Sequence, residues 1–275
     1  MEHTIKLAIL DLYKGFPNQG MKCLRDIIGH YAKINKLTIE IDEFDVRQKL
    51  QLPDASYHGY ISSGGPGSPL DSVNEEWEKL YFSWIRLIEQ WNENSKNRPK
   101  HVLFICHSFQ LACRYFDVGL VCKRKSTSFG VFPVHMLHDG LEEAVFDGLK
   151  DPFYAVDSRD YQVIKPNYDK LAAMGGKVLT IEKERPHVPF ERAVMAMRFN
   201  KYFVGTQFHP EADPVGMSHH LQTEDKKQSV ISEYGEAKWV SMVEHLQDPD
   251  KIEWTHNHIL PNFLSSVLES IEKEC

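Results

Sequence analysis

Apolar positions change their spacing several times along the chain, and each spacing predicts an element. Ile5-Lys-Leu-Ala-Ile-Leu10 is a short apolar run of the kind a buried strand makes. Asp11 to Gln19 carries the loop residues Gly15, Pro17 and Asn18. Leu24, Ile27, Ile28 and Tyr31 follow at i, i+3, i+4 and i+7, which predicts an amphipathic helix. Leu37 to Val46, with Ile39, Ile41 and Phe44, predicts a second strand. Gly59-Tyr-Ile-Ser62 predicts a third, ending in the loop Ser63-Gly-Gly-Pro-Gly-Ser-Pro69. From Asn74 to Trp91 the residues Trp77, Leu80, Tyr81, Trp84, Ile88 and Trp91 share one helical face, with Asp71 or Ser72 available as a cap. Val102 to Ile105 reads as a strand and Ser108 to Phe116 as the helix after it.

Between Ser128 and about Asn200 the pattern turns strand-rich, with Gly130 to Val134, Val178 to Ile181 and Ala193 to Phe199 as its apolar runs; Tyr202 to Phe208 makes one more. Strand–helix alternation followed by strands predicts an α/β fold: an open, mostly parallel sheet flanked by helices, with a small antiparallel insert. The last sixty or so residues change again. Lys226 to Leu246, with Trp239, Met242, Val243 and Leu246 on one stripe, and His258 to Ile271 both read as helical. The expected organisation is a domain over residues 1–211 and a helical extension over 212–275 packed on it, serving as core, lid or homodimer face.

At 275 residues with 42% hydrophobic and 26% charged residues, the chain has the composition of a globular protein able to bury a real core. A formal charge of −7 without a long basic run argues against nucleic acid as a partner. No stretch approaches the roughly 18 apolar residues of a membrane span, and the first ten residues lack a signal-peptide pattern. Five scattered cysteines (Cys23, Cys106, Cys113, Cys122, Cys275) form no CxxC pair, which points to a reducing, cytoplasmic setting. Fourteen histidines, His219-His220 and His256-Asn-His258 among them, show no HExxH or carboxylate-bearing spacing, so neither a metal site nor a cofactor is expected.

The candidate chemistry sits where strands end. Cys106 follows the strand His101-Val-Leu-Phe-Ile105, and a helix starting at His107 would aim its N–H groups and positive dipole end at the sulfur, lowering its pKa. His209 closes a later strand; Pro210 stops that strand, and Glu211 stands where it can turn back onto the imidazole. A thiol, a base and an orienting acid are what a cysteine nucleophile requires. A buried core thiol and a satisfied structural histidine are the plain alternatives. The loop Ser63–Pro69 is either a turn or an oxyanion hole in which glycine lets a bare N–H approach developing charge; it lacks the GK[ST] ending of a phosphate loop.

Glycine loop, cysteine and His-Pro-Glu in this order resemble the class I glutamine amidotransferases, above all the glutaminase domain of GMP synthase and its stand-alone relatives. The likeness spans roughly residues 5–211. Gly205-Thr-Gln-Phe-His-Pro-Glu211 reads almost letter for letter as that family's signature. Ser63-Gly-Gly-Pro-Gly-Ser68 corresponds to its SGGP loop, and Cys106 to Gln110 to its Cys-x-x-x-Gln spacing. The resemblance implies Cys106 as nucleophile, His209 as general base and acid, and Glu211 as the orienting carboxylate. It implies an oxyanion hole from the Gly65 and His107 backbone, and substrate binding by Gly64, Gln110, Ser158 and Arg159. The implied substrate is glutamine or a γ-glutamyl compound, with ammonia passed to a separate synthase or acceptor subunit, or simply released by a stand-alone hydrolase.

Two departures accompany the likeness. The family's nucleophile elbow has glycine two before and two after the cysteine, where this chain has Phe104 and Ser108; phenylalanine implies a repacked elbow. The family often shows Ser-His in the glutamine-pocket segment, where this chain has Ser158-Arg159, an arginine suited to grip a different carboxylate. These departures motivate the competing reading, a binding or regulatory protein that retains the fold.

Overall fold

The computed structural model describes residues 4–16, 18–248 and 250–272, with the side chain of His220 left out; Pro17 and Cys275 lie outside it. Among the described residues nine strands form one sheet, in the order β2-β1-β3-β4-β9-β8-β7-β5-β6. β1 (Ile5–Asp11), β2 (Ile39–Asp45), β3 (Gly59–Ser62), β4 (His101–Ile105) and β9 (Phe203–Thr206) run parallel. β8 (Val194–Arg198), β7 (Lys177–Glu182), β5 (Leu120–Met136) and β6 (Phe153–Ile164) continue the sheet antiparallel. The antiparallel strands are thus the far half of the same sheet.

Each face of the parallel half carries its own core. Leu7, Ile9, Leu103 and Ile105 point to one side, beneath α1 (Gln19–Asn35) and α9 (Ile252–Glu272). Ala8, Leu10, Val102 and Phe104 point to the other, beneath α2 (Glu76–Glu93) and α3 (His107–Phe116). Both faces buried is why β1 and β4 read as continuous apolar runs instead of alternating. α4 (His138–Leu141) and α5 (Tyr168–Ala173) are short connectors.

Several expectations shift by a turn or a partner. The buried face of α2 is Trp77, Tyr81, Trp84, Ile85 and Ile88, while Leu80 is exposed, so the stripe is rotated toward Ile85. Glu75 stands at the N-cap, and Ser72 instead donates its hydroxyl to the Glu78 carboxylate. The expected helix over 226–246 is two, α7 (Glu224–Tyr234) and α8 (Glu236–Gln247), broken at Gly235 with φ +87°. An additional helix, α6 (Pro214–Leu221), precedes them. A third apolar cluster joins these helices to the sheet, through Val131 and Val156 on one side and Leu221, Val230, Met242 and Leu246 on the other. Among the described residues no helix is long and apolar enough to cross a membrane.

Candidate active site

All four central parallel strands end at the same edge, and every sequence-predicted reactive group arrives there, as open α/β sheets arrange their sites. Cys106 is the turn between β4 and α3, with φ 50° and ψ −98°, a left-handed conformation that costs a non-glycine residue about 1–3 kcal/mol. Its surroundings hold it there. The Cys106 N–H donates to the Thr206 carbonyl at 2.7 Å, and the Cys106 carbonyl accepts from Gln110 N–H at 3.1 Å. Ser108 Oγ accepts from Ile105 N–H at 2.7 Å and donates to the Ser62 carbonyl at 2.7 Å, tying the turn to β3.

His209 follows β9 and is locked to β6 by its N–H, which donates to Val156 at 2.9 Å. Its Nδ1 lies 2.8 Å from Glu211 Oε1, leaving Nε2 as the ring nitrogen available to the thiol. Burial works against a charge on this ring, but the Glu211 carboxylate and a hydrogen-bonded Cys106 sulfur outweigh it, so its proton affinity stands well above the ordinary 6.5. Gln207 Nε2 donates to Cys106 Sγ at 3.9 Å, and Gln110 Nε2 donates to Gln207 Oε1 at 3.1 Å. Gln110 therefore touches the thiol's neighbourhood through Gln207.

The glycine loop forms the opposite wall. A Cβ at Gly64 would stand 2.9 Å from His209 Cε1 and 3.7 Å from Cys106 Cβ; one at Gly65 would stand 2.5 Å from the Leu12 carbonyl. Glycine is thus the residue that lets this backbone reach the thiol–imidazole pair. Arg47 Nη1 donates to the Pro66 carbonyl at 2.7 Å. Arg114 donates to the Pro69 carbonyl at 2.5 Å and pairs with Glu78 through both terminal nitrogens, fixing the loop to α2 and α3. Gly65 and His107 border the space at Cys106. Among the described residues their N–H groups are not among the donors used in turns, loops or caps. The His107 ring is buried and held neutral, its pKa pushed down to about 3 by desolvation and by Arg47 and Arg114.

The chain matches the family Glutamine amidotransferase class-I over residues 8–226. It belongs to the class-I glutamine amidotransferases. Among solved structures it resembles a glutamine amidotransferase from Thermotoga maritima (TM-score 0.67, 16% identity, covering 97% of this chain and 99% of that one). It also resembles a GMP synthase subunit from Thermoplasma acidophilum (TM-score 0.58, 16% identity, 100% and 99%). A third likeness is to the glutaminase domain of Trypanosoma brucei CTPS with bound acivicin (TM-score 0.55, 14% identity, 75% and 86%). No curated protein matches the chain.

In this member of the family the two elbow departures have packing explanations. Phe104 faces Gly205 across the parallel β4–β9 pair, and a Cβ there would stand 3.2 Å from Phe104 Cβ. Gly205, itself part of the family signature, leaves that space open beside Phe104. The Phe104 ring passes into an aromatic cluster with Phe199 and Phe203, centroids 5.7 and 5.9 Å away. Arg159 is held from within the protein. All three of its guanidinium nitrogens donate inside the protein: to Asp157 at 2.8 Å, to the Tyr161 carbonyl at 3.1 Å, and to Glu182 and Met195 Sδ at 3.5 and 3.2 Å. Arg159 thus borders the space over Cys106 with its guanidinium already engaged by protein acceptors. Ser158 presents its carbonyl, 4.0 Å from Cys106 Sγ.

Tyr13, which no motif marks, and Gln207, which lies inside the signature without a role assigned to it, join the site. The Tyr13 hydroxyl would stand 3.2 Å from a Cβ at Gly64, and burial, then the nearby Glu211 and Cys106, push its pKa well above 10.0. Its signal is positional: Tyr13 follows a central parallel strand. Glu211 Oε2 and His107 Nε2 are buried without a hydrogen-bond partner. Among the described residues no group of three His, Cys, Asp or Glu side chains is arranged to hold a metal ion.

Proposed function

We propose that this protein is a cysteine amidohydrolase of the glutaminase type, cleaving the side-chain amide of glutamine or a related γ-glutamyl compound. Cys106 is its nucleophile, His209 its base and acid, and Glu211 the carboxylate that holds the imidazole. The single observation that carries this reading is the relay of groups: Glu211 2.8 Å from Nδ1 of a histidine whose other side meets a sulfur on a strained strand-to-helix turn.

In the proposed reaction His209 Nε2 takes the thiol proton and the sulfur attacks the γ-carbonyl carbon. The resulting oxyanion is met by the N–H groups of Gly65 and His107. The C–N bond breaks as imidazolium returns the proton to the departing ammonia or amine, leaving a γ-glutamyl thioester. Water, deprotonated by His209, then releases glutamate and the thiol. Gly64, Gln110 and Ser158 border the acyl group, Gln110 through Gln207. Residues 1–211 carry this chemistry, and 212–275 shape the space around it. Released ammonia goes to a separate acceptor protein or to solvent.

The glycine-free elbow that motivates a purely binding role has a packing explanation, so the hydrolase reading is preferred. Ammonia release from glutamine, measured for wild type and Cys106→Ala, tests it together with covalent labelling by a glutamine analogue. Activity lost in the variant and a label on Cys106 are expected. Slow alkylation of Cys106 by iodoacetamide at neutral pH, with no ammonia released, would refute it.

A further inference from the structure

The space over Cys106 is a cavity of about 790 Å³ that runs on well past the reactive groups. That volume lies in the upper part of the roughly 300–1,000 Å³ range that accommodates drug-sized ligands, and glutamine occupies a minor part of it. The two ends differ in chemistry. Around the thiol the lining is polar: His209, Glu211, Gln110, Ser158 and the Gly65 backbone. The far end is walled by Phe129, Val131 and Val156 of the antiparallel strands and by Val230, Met242 and Leu246 of α7 and α8, with Lys226 and Glu233 of α7 also on its lining. Phe129 and Tyr234 stack with centroids 5.1 Å apart, forming an aromatic panel of that wall.

We infer that this far chamber receives the amine portion of an N-substituted γ-glutamyl amide, a substrate whose amide nitrogen carries an apolar or aromatic group. The inference rests on the amidohydrolase reading and specifies its substrate. The direction follows from solvation. The glutamyl half carries an ammonium and a carboxylate, which are costly to bury against the Val131, Val230, Met242 and Leu246 side chains of the far wall. The amine side carries no such requirement, and burying an aromatic group there is favourable. Ammonia, the leaving group from glutamine itself, would leave the chamber unused. The bond made is the Cys106 thioester, the bond broken is amide C–N, and the free amine departs with the proton from His209; hydrolysis of the thioester then yields glutamate.

The test compares L-glutamine with γ-L-glutamyl-phenethylamide. Wild type is expected to show kcat/KM about tenfold or more higher for the phenethylamide. Tyr234→Ala, which removes half of the stacked panel, and Met242→Trp, which fills the chamber, are expected to lower the ratio of the two kcat/KM values severalfold. In parallel, calorimetric binding of both compounds to Cys106→Ala reads the chamber without catalysis. A wild-type preference for glutamine, or variants that change both substrates equally, would overturn the chamber assignment while leaving the hydrolase intact. No hydrolysis of either compound, but tighter binding of the phenethylamide to Cys106→Ala, would overturn the hydrolase reading and support the chamber. Neither hydrolysis nor a binding preference would overturn both.

Discussion

His209 holds its proton under two opposing influences, burial against it and the Glu211 carboxylate with the Cys106 sulfur for it; the second prevails. A raised value means the imidazolium persists where an ordinary histidine, at 6.5, has already lost its proton. In the proposed hydrolysis the acid that protonates the leaving amine would then be retained into the alkaline range, so the alkaline limb of kcat/KM against pH is expected well above 6.5. Glu211→Gln removes the charge but keeps the shape. It should move that limb to lower pH and reduce kcat by about 10²–10⁴-fold, checked by the same profile. Gly64→Ala is the second test at this scale. Its methyl would stand 2.9 Å from His209 Cε1, displacing the base from the thiol and lowering kcat about 10²-fold, while a urea midpoint near wild type would separate this from unfolding. Cys106, His209 and Glu211 were legible in the sequence because each closes an apolar run. Tyr13 was not, and the contact of Gln207 with the sulfur was not although the signature contains that residue, because both depend on which strands lie side by side.

Among the elements, the β4–α3 turn reveals most about how the chain departs from its relatives. Ser108 bridges Ile105 N–H and the Ser62 carbonyl from a fully buried position, so Ser108→Ala should cost about 1–3 kcal/mol in denaturant unfolding. Phe104 is fully buried against Phe199 and Phe203, and installing the family's glycine there should destabilise by about 3–5 kcal/mol or more. A glycine variant as stable as wild type would argue against that packing. β6 escaped the sequence because its alternation is disguised. Asp157 and Arg159 occupy inward positions usually held by apolar residues, and they are buried as an ion pair at 2.8 Å. A strand whose core face is charged looks like a loop until its partners are known.

Across the whole molecule, that ion pair belongs to a network linking β5, β6 and β7. Glu182 accepts from Arg124 at 3.1 Å and pairs with Arg185 at 2.5 Å; Arg159 bridges it to Asp157. Burial raises the Glu182 pKa, but Arg159 and Arg124 lower it further, for a net value below the ordinary 4.5. A folded-state value below the unfolded one contributes stability above about pH 4.5, lost as pH falls through the folded value. Urea midpoints should therefore drop below that pH, with a flatter dependence in Glu182→Gln. A chain ending at Glu211 should lose cooperative unfolding in calorimetry. The reason is that Ile259, Leu260, Phe263 and Leu264 of α9 complete the core under β1 and β4, and α6–α8 cover the antiparallel half.

The strand–helix alternation, the candidate trio and the family signature were all written in the chain itself, because periodicity and strand-end chemistry are local properties that neighbouring residues carry. Three things waited for the fold: that the Arg159 guanidinium is engaged inside the protein, that Gly205 makes room for Phe104, and that α7 and α8 wall the far end of the cavity over the thiol. Each depends on residues distant in sequence meeting across the sheet, where burial changes what a charge, a missing side chain or a hydrophobic stripe can do.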